Sequence, residues 1–349
     1  MGNRLFFRLC FTASVLTLIV VLLGAWVRLE DAGLGCPDWP GCYGMLLGVP
    51  NTEAAVEAAN EAYPERPVHA GKAWKEMVHR YVAGGLGLLV FTIAATAVRR
   101  RRQPDQPLVL PVFLAGLIIA QAVLGMWTVT WQLKPLVVTL HLLGGMATLA
   151  LLWWLSLRTG RLLPAAAEST ARRMQPWVLV VVAVVAVQIA LGGWVSTNYA
   201  ALACTDFPRC GGSLWPADAD FADAFVLWQG LGVDYEFGVL DHPARVAVQF
   251  VHRLGAAVTA LAVIALAVAV WSRVRSAVPR RATAVVVALL VAQWLLGITN
   301  VLASLPLPVA VAHNGGAALL LLSLLTLYHT LRPHDSARDG GRAERGIPS

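Results

Sequence analysis

The chain has 349 residues, 58% of them hydrophobic and only 13% charged, with a formal net charge of +7. That balance excludes an ordinary soluble domain and points to the membrane class. The basic excess falls in short runs at the ends of apolar stretches rather than in one patch, which argues against nucleic acid as a partner.

Eight apolar stretches reach the roughly 20 residues needed to cross a bilayer. They lie at about 9–28, 74–98, 108–130, 136–158, 176–197, 244–271, 282–303 and 308–330. The first could pass for a signal peptide, but it lacks a clear cleavage site and has a counterpart later in the chain, so it is read as a helix. A long segment, 29–73, follows it, and within this Thr52 to Ala62 reads as a short surface helix. The fifth stretch is followed by an equally long segment, 198–243, whose Trp228 and Tyr235 suit lid or membrane-interface packing. The seventh and eighth are parted only by Ser304 to Pro308, a stretch that cannot continue a helix and reads as a tight turn.

With the N-terminus inside, the inner segments carry Arg4, Arg8, Arg99 to Arg102, Arg158, Arg161, Arg172, Arg173, Arg273, Arg275, Arg280, Arg281, Arg332, Arg338, Arg342 and Arg345. The acids there are Asp105, Glu168, Asp335, Asp339 and Glu344; the remaining acids fall in the outer segments. This is the positive-inside pattern, and it predicts both termini in the cytoplasm. No Arg/Ser-rich transit peptide precedes the first stretch, so a bacterial plasma membrane is expected, with the long loops on its outer face.

The chain also repeats itself. Leu23-Gly-Ala-Trp-Val27 matches Leu191-Gly-Gly-Trp-Val195 at an offset of 168, and Gln121-Ala-Val-Leu-Gly125 matches Gln293-Trp-Leu-Leu-Gly297 at 172. Four spans per half is an even number, so both halves enter from the same side as a parallel repeat about the membrane normal. The expected fold is an all-α integral membrane protein of eight transmembrane helices in two tandem four-helix bundles. The bundles cover 1–160 and 170–335, and a disordered cytoplasmic tail covers 336–349.

Of five cysteines, Cys10 lies within the first span and reads as an inert buried thiol. The others form equally spaced pairs, Cys36 with Cys42 and Cys204 with Cys210, both in the outer segments where disulfides persist. A bridge in each pair, or a reducible dithiol, fits better than zinc, for which no further ligand stands nearby. Closing such a short loop is worth about 2–3 kcal/mol in the chain-entropy picture.

Four histidines, His79, His141, His252 and His313, sit a few residues inside the same end of four different spans. His79 to His252 is 173 residues and His141 to His313 is 172. An ionisable ring in lipid is costly and marks a functional site by default. Four at one depth in a duplicated arrangement point to two paired-imidazole sites for a haem or metal. Four residues on, Ala83, Gly145, Ala256 and Ala317 leave room beside each ring. An interhelical hydrogen bond explains any one of these histidines, but not the repeated set. Arg80 and Arg253 follow the first histidine of each pair and suit either a haem propionate or snorkelling to the interface. Glu76 precedes His79 by three residues, where the second half has Gln249. A carboxylate beside one site and a neutral isostere beside the other suggest chemistry in the first half and cofactor binding in the second. A simple i,i+4 ion pair of Glu76 with Arg80 is the alternative. Arg28 opposite Ser196 is a second asymmetry.

These residues resemble the haem A synthase family over nearly the whole chain. The resemblance rests on Ala32-Gly-Leu-Gly-Cys-Pro-Asp-Trp-Pro-Gly-Cys42, Glu76-Met-Val-His-Arg80, Gln121 to Gly125 and His141. In the second half it rests on Leu191 to Val195, Asp206-Phe-Pro-Arg-Cys210, Gln249-Phe-Val-His-Arg253, Gln293 to Val301 and His313. It implies a membrane enzyme that oxidises the C8 methyl group of haem O to the formyl group of haem A, for terminal oxidases. His79 and His141 would flank the substrate haem with Glu76 as the acidic catalytic residue, and His252 and His313 would ligate haem B. Haem O, the lipid bilayer, haem O synthase and oxidase assembly factors are the partners this implies. A quinone-linked di-haem electron-transfer protein and a haem carrier are the competing readings. The first leaves the change from Glu76 to Gln249 without a reason.

Overall fold

A computed structural model of the chain describes residues 2–160, 163, 169–230 and 232–332. The tail expected at 336–349 lies outside these. Among the described residues, eight helices are long and apolar enough to cross a membrane, and no strand longer than an isolated bridge occurs. They are α1 (Gly2–Leu29), α2 (Ala70–Arg99), α3 (Val109–Thr130), α4 (Pro135–Gly160), α5 (Gln175–Thr197), α6 (His242–Arg273), α7 (Ala277–Leu302) and α8 (Leu307–Thr330). The expected short surface helix is present as Glu53–Ala62, capped by the Thr52 hydroxyl, which accepts from Ala55 N.

Several helices outrun their apolar stretches: α2 begins at Ala70, α6 at His242 and α7 at Ala277. Hydropathy sees only the hydrocarbon-depth part of a helix, whereas backbone hydrogen bonding carries on into the polar ends. The turn between α7 and α8 is correspondingly shorter than expected. Pro306 is the N-cap and Pro308 sits within the first turn of α8, where its missing N–H costs nothing.

Large apolar side chains face outward along the spans, among them Leu88, Val109 and Leu261. Helices apolar all round are buried or in lipid, and the chain is a multi-span membrane protein. Inside, Phe6, Cys10, Leu86, Ile93, Leu114 and Leu152 join α1 to α4 in one cluster. A larger cluster joins α5 to α8 and reaches α4 through Met146 and Leu149. Helix contacts close in the same order twice: α1–α2–α3–α4–α1 and α5–α6–α7–α8–α5. Between the two sets, α1 meets α8, α5 meets α4, and α4 meets α8.

The repeat extends to backbone detail. Gln132 and Leu133 after α3, and Ser304 and Leu305 after α7, all take left-handed φ between 47° and 62°. These turns are closed by Leu133 N donating to Thr128 O at 2.8 Å and Leu305 N to Asn300 O at 2.7 Å. Four non-glycine residues in a disfavoured region are held by that pairing, which lets each hairpin reverse in so few residues.

Candidate functional site

The four histidines lie on α2, α4, α6 and α8. Each ring packs against a glycine of the preceding span: a Cβ on Gly24 would stand 3.1 Å from His79 Cε1, one on Gly125 3.5 Å from His141 Cε1, one on Gly192 3.2 Å from His252 Cε1, and one on Gly297 3.1 Å from His313 Cε1. These are the glycines of the repeated motifs, and close approach of ring to backbone is what they serve. His79 and His141 are near enough for a charge on one to act on the other, and so are His252 and His313.

Each ring lies deep in the protein but keeps intermediate exposure. The Nδ1 atoms of His79, His141 and His313 are buried, each ring facing a carbonyl of the preceding span, those of Val20, Gln121 and Gln293. His252 Nδ1 instead lies 3.1 Å from Gln188 Nε2. Among the described residues no group of three or more His, Cys, Asp or Glu could cage a bare ion. Two imidazoles per set, each seated against a glycine, would suit a haem iron. A cavity of about 680 Å³, lined by Phe11, Trp153, Ala282 and Thr326 among others, lies toward the opposite ends of the helices and takes in none of these histidines.

At the loop end both cysteine pairs are disulfide-bonded, Cα atoms 4.8 Å apart in each. Both loops carry a cis X-Pro bond, at Pro40 and Pro208. Each is folded round an aspartate that accepts two backbone N–H groups: Asp38 from Tyr43 and Gly44, Asp206 from Gly211 and Gly212. Those donors hold the Asp206 carboxyl below the usual carboxylate range.

The helices reach into these loops with the residues flanking the histidines. Arg80 donates to the carbonyls of Asp38 at 3.0 Å and Gly41 at 2.5 Å, and Arg253 to those of Asp206 and Arg209, both at 2.8 Å. Glu76 Oε2 accepts from Cys36 N at 2.9 Å and Gln249 Oε1 from Cys204 N at 2.5 Å. The two arginines thus anchor the disulfide loops. The remaining atoms differ between the halves. Glu76 Oε1 pairs with Arg80 at 2.6 Å, so the i,i+4 ion pair exists and Glu76 is buried with its counter-ion. Gln249 Nε2 donates to Ala201 O at 2.6 Å, leaving Arg253 to reach Cys204 O at 2.8 Å.

Three contributors lie outside the motifs. Gln188 donates to His252 O at 3.0 Å, as Gln293 does to His313 O at 2.9 Å. The offset of 168 sets Gln188 against Val20, a mismatch visible in the sequence. Lys134, at the N-terminal end of α4, is 2% exposed; its ammonium donates to Gly230 O at 2.6 Å and stands 3.0 Å above the Trp228 ring. Burial holds this ammonium below the ordinary lysine range. Arg66 pairs with Asp234 and Glu236 across the halves, and Tyr235 N donates to Gln132 O at 3.1 Å. The segment after α5 therefore crosses over and covers the loop end of the α3–α4 hairpin.

A family model described as cytochrome oxidase assembly protein (COX15-CtaA) matches residues 7–325. The chain belongs to that family. It is 47% identical over 317 residues to the haem A synthase of Shewanella oneidensis, covering 91% of this chain and 94% of the relative. The haem A synthase of Rhizorhabdus wittichii is 32% identical over 342 residues, covering 91% of each. That of Rhodospirillum centenum is 31% identical over 341 residues, covering 91% of this chain and 86% of the relative. The match to the cytochrome oxidase assembly family takes in both histidine pairs and both cysteine loops.

Proposed function

We infer that the chain acts as a haem A synthase, oxidising the C8 methyl group of haem O to a formyl group. The similarity to proteins of that name at 47% identity over nine-tenths of the chain carries this reading. The two histidine sets, each suited to a haem iron, agree with it.

In our reading the molecule is two tandem four-helix bundles about a pseudo-two-fold axis along the membrane normal. Two hydrogen bonds support this. Arg28 Nη2 donates to Ser196 O at 2.6 Å, and Trp153 Nε1 to Thr326 Oγ1 at 2.9 Å. The first separation, 168 residues, is the repeat offset between α1 and α5, and the second, 173, is one residue off the 172 that relates α4 to α8; equivalent or nearly equivalent residues can touch only near the axis relating the halves. The arginine distribution supports cytoplasmic termini with the disulfide loops outside, and the proposed location is a bacterial plasma membrane.

The N-terminal half is assigned the chemistry. His79 and His141 hold the substrate haem, and Glu76, buried against Arg80, is the proton acceptor that the second half lacks. Arg80 pairs with the carboxylate in its apolar setting and ties it to the loop above. The C-terminal half holds haem B through His252 and His313, with Gln188 and Gln293 fixing the two helices by their backbone bonds. Haem B supplies one-electron redox capacity when bound. Arg80 and Arg253 stay candidates for haem carboxylates only through whatever donors their loop carbonyls leave. Haem O synthase and oxidase assembly factors are the proposed protein partners.

The test is expression in a host that makes haem O, followed by chromatography of the extracted haems. A formyl haem that depends on His79 and His141 is expected; unchanged porphyrin would favour a carrier or electron-transfer protein. His252→Ala should abolish the low-spin haem B spectrum, and its persistence would mean the ligands are misassigned.

A further inference from the structure

Lys134 is a buried cation with no carboxylate beside it among the described residues. Only one of its three N–H donors meets a hydrogen-bond acceptor among the described residues, the carbonyl of Gly230. Two aromatic rings share the rest of its surroundings, Trp228 at 3.0 Å and Trp131 at 5.9 Å. A buried charge is costly unless paired and hydrogen-bonded, so a place 2% exposed with free donors is built for an anion that is not part of the chain.

Its position says which anion. Lys134 O accepts from Val138 N at 3.1 Å, so Lys134 is already within the helical pattern of α4. His141 lies seven residues on, two turns along the same face and about 10 Å deeper. A carboxylate of a haem held by His79 and His141, if directed toward the loop end, would come to the level of Lys134. The equivalent position in the second half, at the offset of 172, is Pro306, which carries no charge. The feature belongs to one half only.

We propose that Lys134 is a substrate-binding residue of the N-terminal half, pairing with a propionate carboxylate of the haem to be oxidised beneath the cover formed by Trp228 and Gly230. The carboxylate takes up donors that Gly230 leaves open. The cover, contributed by the other half and pinned by Arg66, excludes water from the pair and strengthens it. This rests on the assignment of the N-terminal half to the substrate haem.

The test uses the full chain, carrying its resident haem, in phosphatidylcholine nanodiscs. Haem O as the free diacid and as its dimethyl ester are each titrated and followed by absorbance. Wild type is expected to prefer the diacid by roughly tenfold, the size of one charge-assisted hydrogen bond. Lys134→Met should cut that preference to about twofold or less, and Lys134→Arg should restore most of it. Trp228→Ala should weaken diacid and ester alike and keep the preference. A Lys134→Met protein with the wild-type preference would overturn the proposal. So would one that loses affinity for both forms equally, as Trp228→Ala does, since the lysine would then only pin the cover. Formyl haem made by wild type with no effect of Lys134 on the preference defeats this inference alone. A Lys134-dependent preference in a protein making no formyl haem defeats the functional reading and leaves a haem-carboxylate site.

Discussion

At the scale of single residues, the two halves differ where one keeps a carboxylate and the other an amide in nearly the same hydrogen bond. Both Glu76 and Gln249 accept from a disulfide cysteine's N–H. Glu76→Gln therefore keeps the loop anchor while removing the proton acceptor, a cleaner change than truncation. It should leave haem content intact and lower formyl-haem formation by roughly 10²–10⁴-fold, the usual weight of a general base, as read by chromatography of extracted haems. Wild-type turnover in that variant would remove Glu76 from the chemistry. The glycines give a second prediction. At Gly192 even a Cβ would come to 3.2 Å from the His252 ring, so Gly192→Val should push the imidazole off its seat and lose the low-spin spectrum of that half. Gly24→Val should instead spare that spectrum and lose formyl haem. If both variants lost the same signal, the division of labour between halves would be wrong.

Among elements, the disulfide loops and the crossing segment do different jobs. Each loop is tied to its own half by an arginine and by the residue at position 76 or 249. The segment from Trp228 to Glu236 ties one half to the other. Arg66 is partly exposed, so its pairs with Asp234 and Glu236 are worth no more than about 1 kcal/mol together. Arg66→Ala should thus leave the spans folded yet raise the rate of proteolytic cleavage in that segment by a few fold. An unchanged cleavage pattern would mean Lys134 and Tyr235 hold the cover unaided. The Asp206 loop carries a pH dependence with a definite sign. Its carboxyl titrates lower in the folded protein than in the unfolded chain. The stabilisation is present above the unfolded value and disappears as pH falls through the depressed one. Amide exchange at Gly211 and Gly212 should therefore stay slow through the ordinary carboxylate range and quicken only in stronger acid.

For the whole molecule, the contact between the halves sits on α1, α4, α5 and α8. Apolar packing in lipid has little hydrophobic drive of its own, so shape and a few polar contacts decide association. The bond from Trp153 to Thr326 is one of these. In a double-mutant cycle, Trp153→Phe and Thr326→Val should show a coupling of about 1 kcal/mol in detergent unfolding; strict additivity would deny the contact.

The eight spans, the duplicated motifs and the candidate histidines are readable in the chain, because lipid demands long apolar helices and a repeat prints its offset on every matched position. The pairing partners of those motifs are not. Gly24 and His79 are far apart in sequence, and only helix packing brings ring to backbone. The roles of Arg80 and Arg253 were likewise open until the loops folded back to offer their carbonyls. Lys134 and Gln188 stand outside every repeated motif, and only the offset alignment marks them, against Pro306 and Val20. Sequence by itself determined the eight spans and which histidines are candidates for a haem iron, since that depends on side-chain chemistry and depth along a helix. Tertiary structure alone decided what each is held by, because hydrogen bonds and burial depend on which chain segments meet.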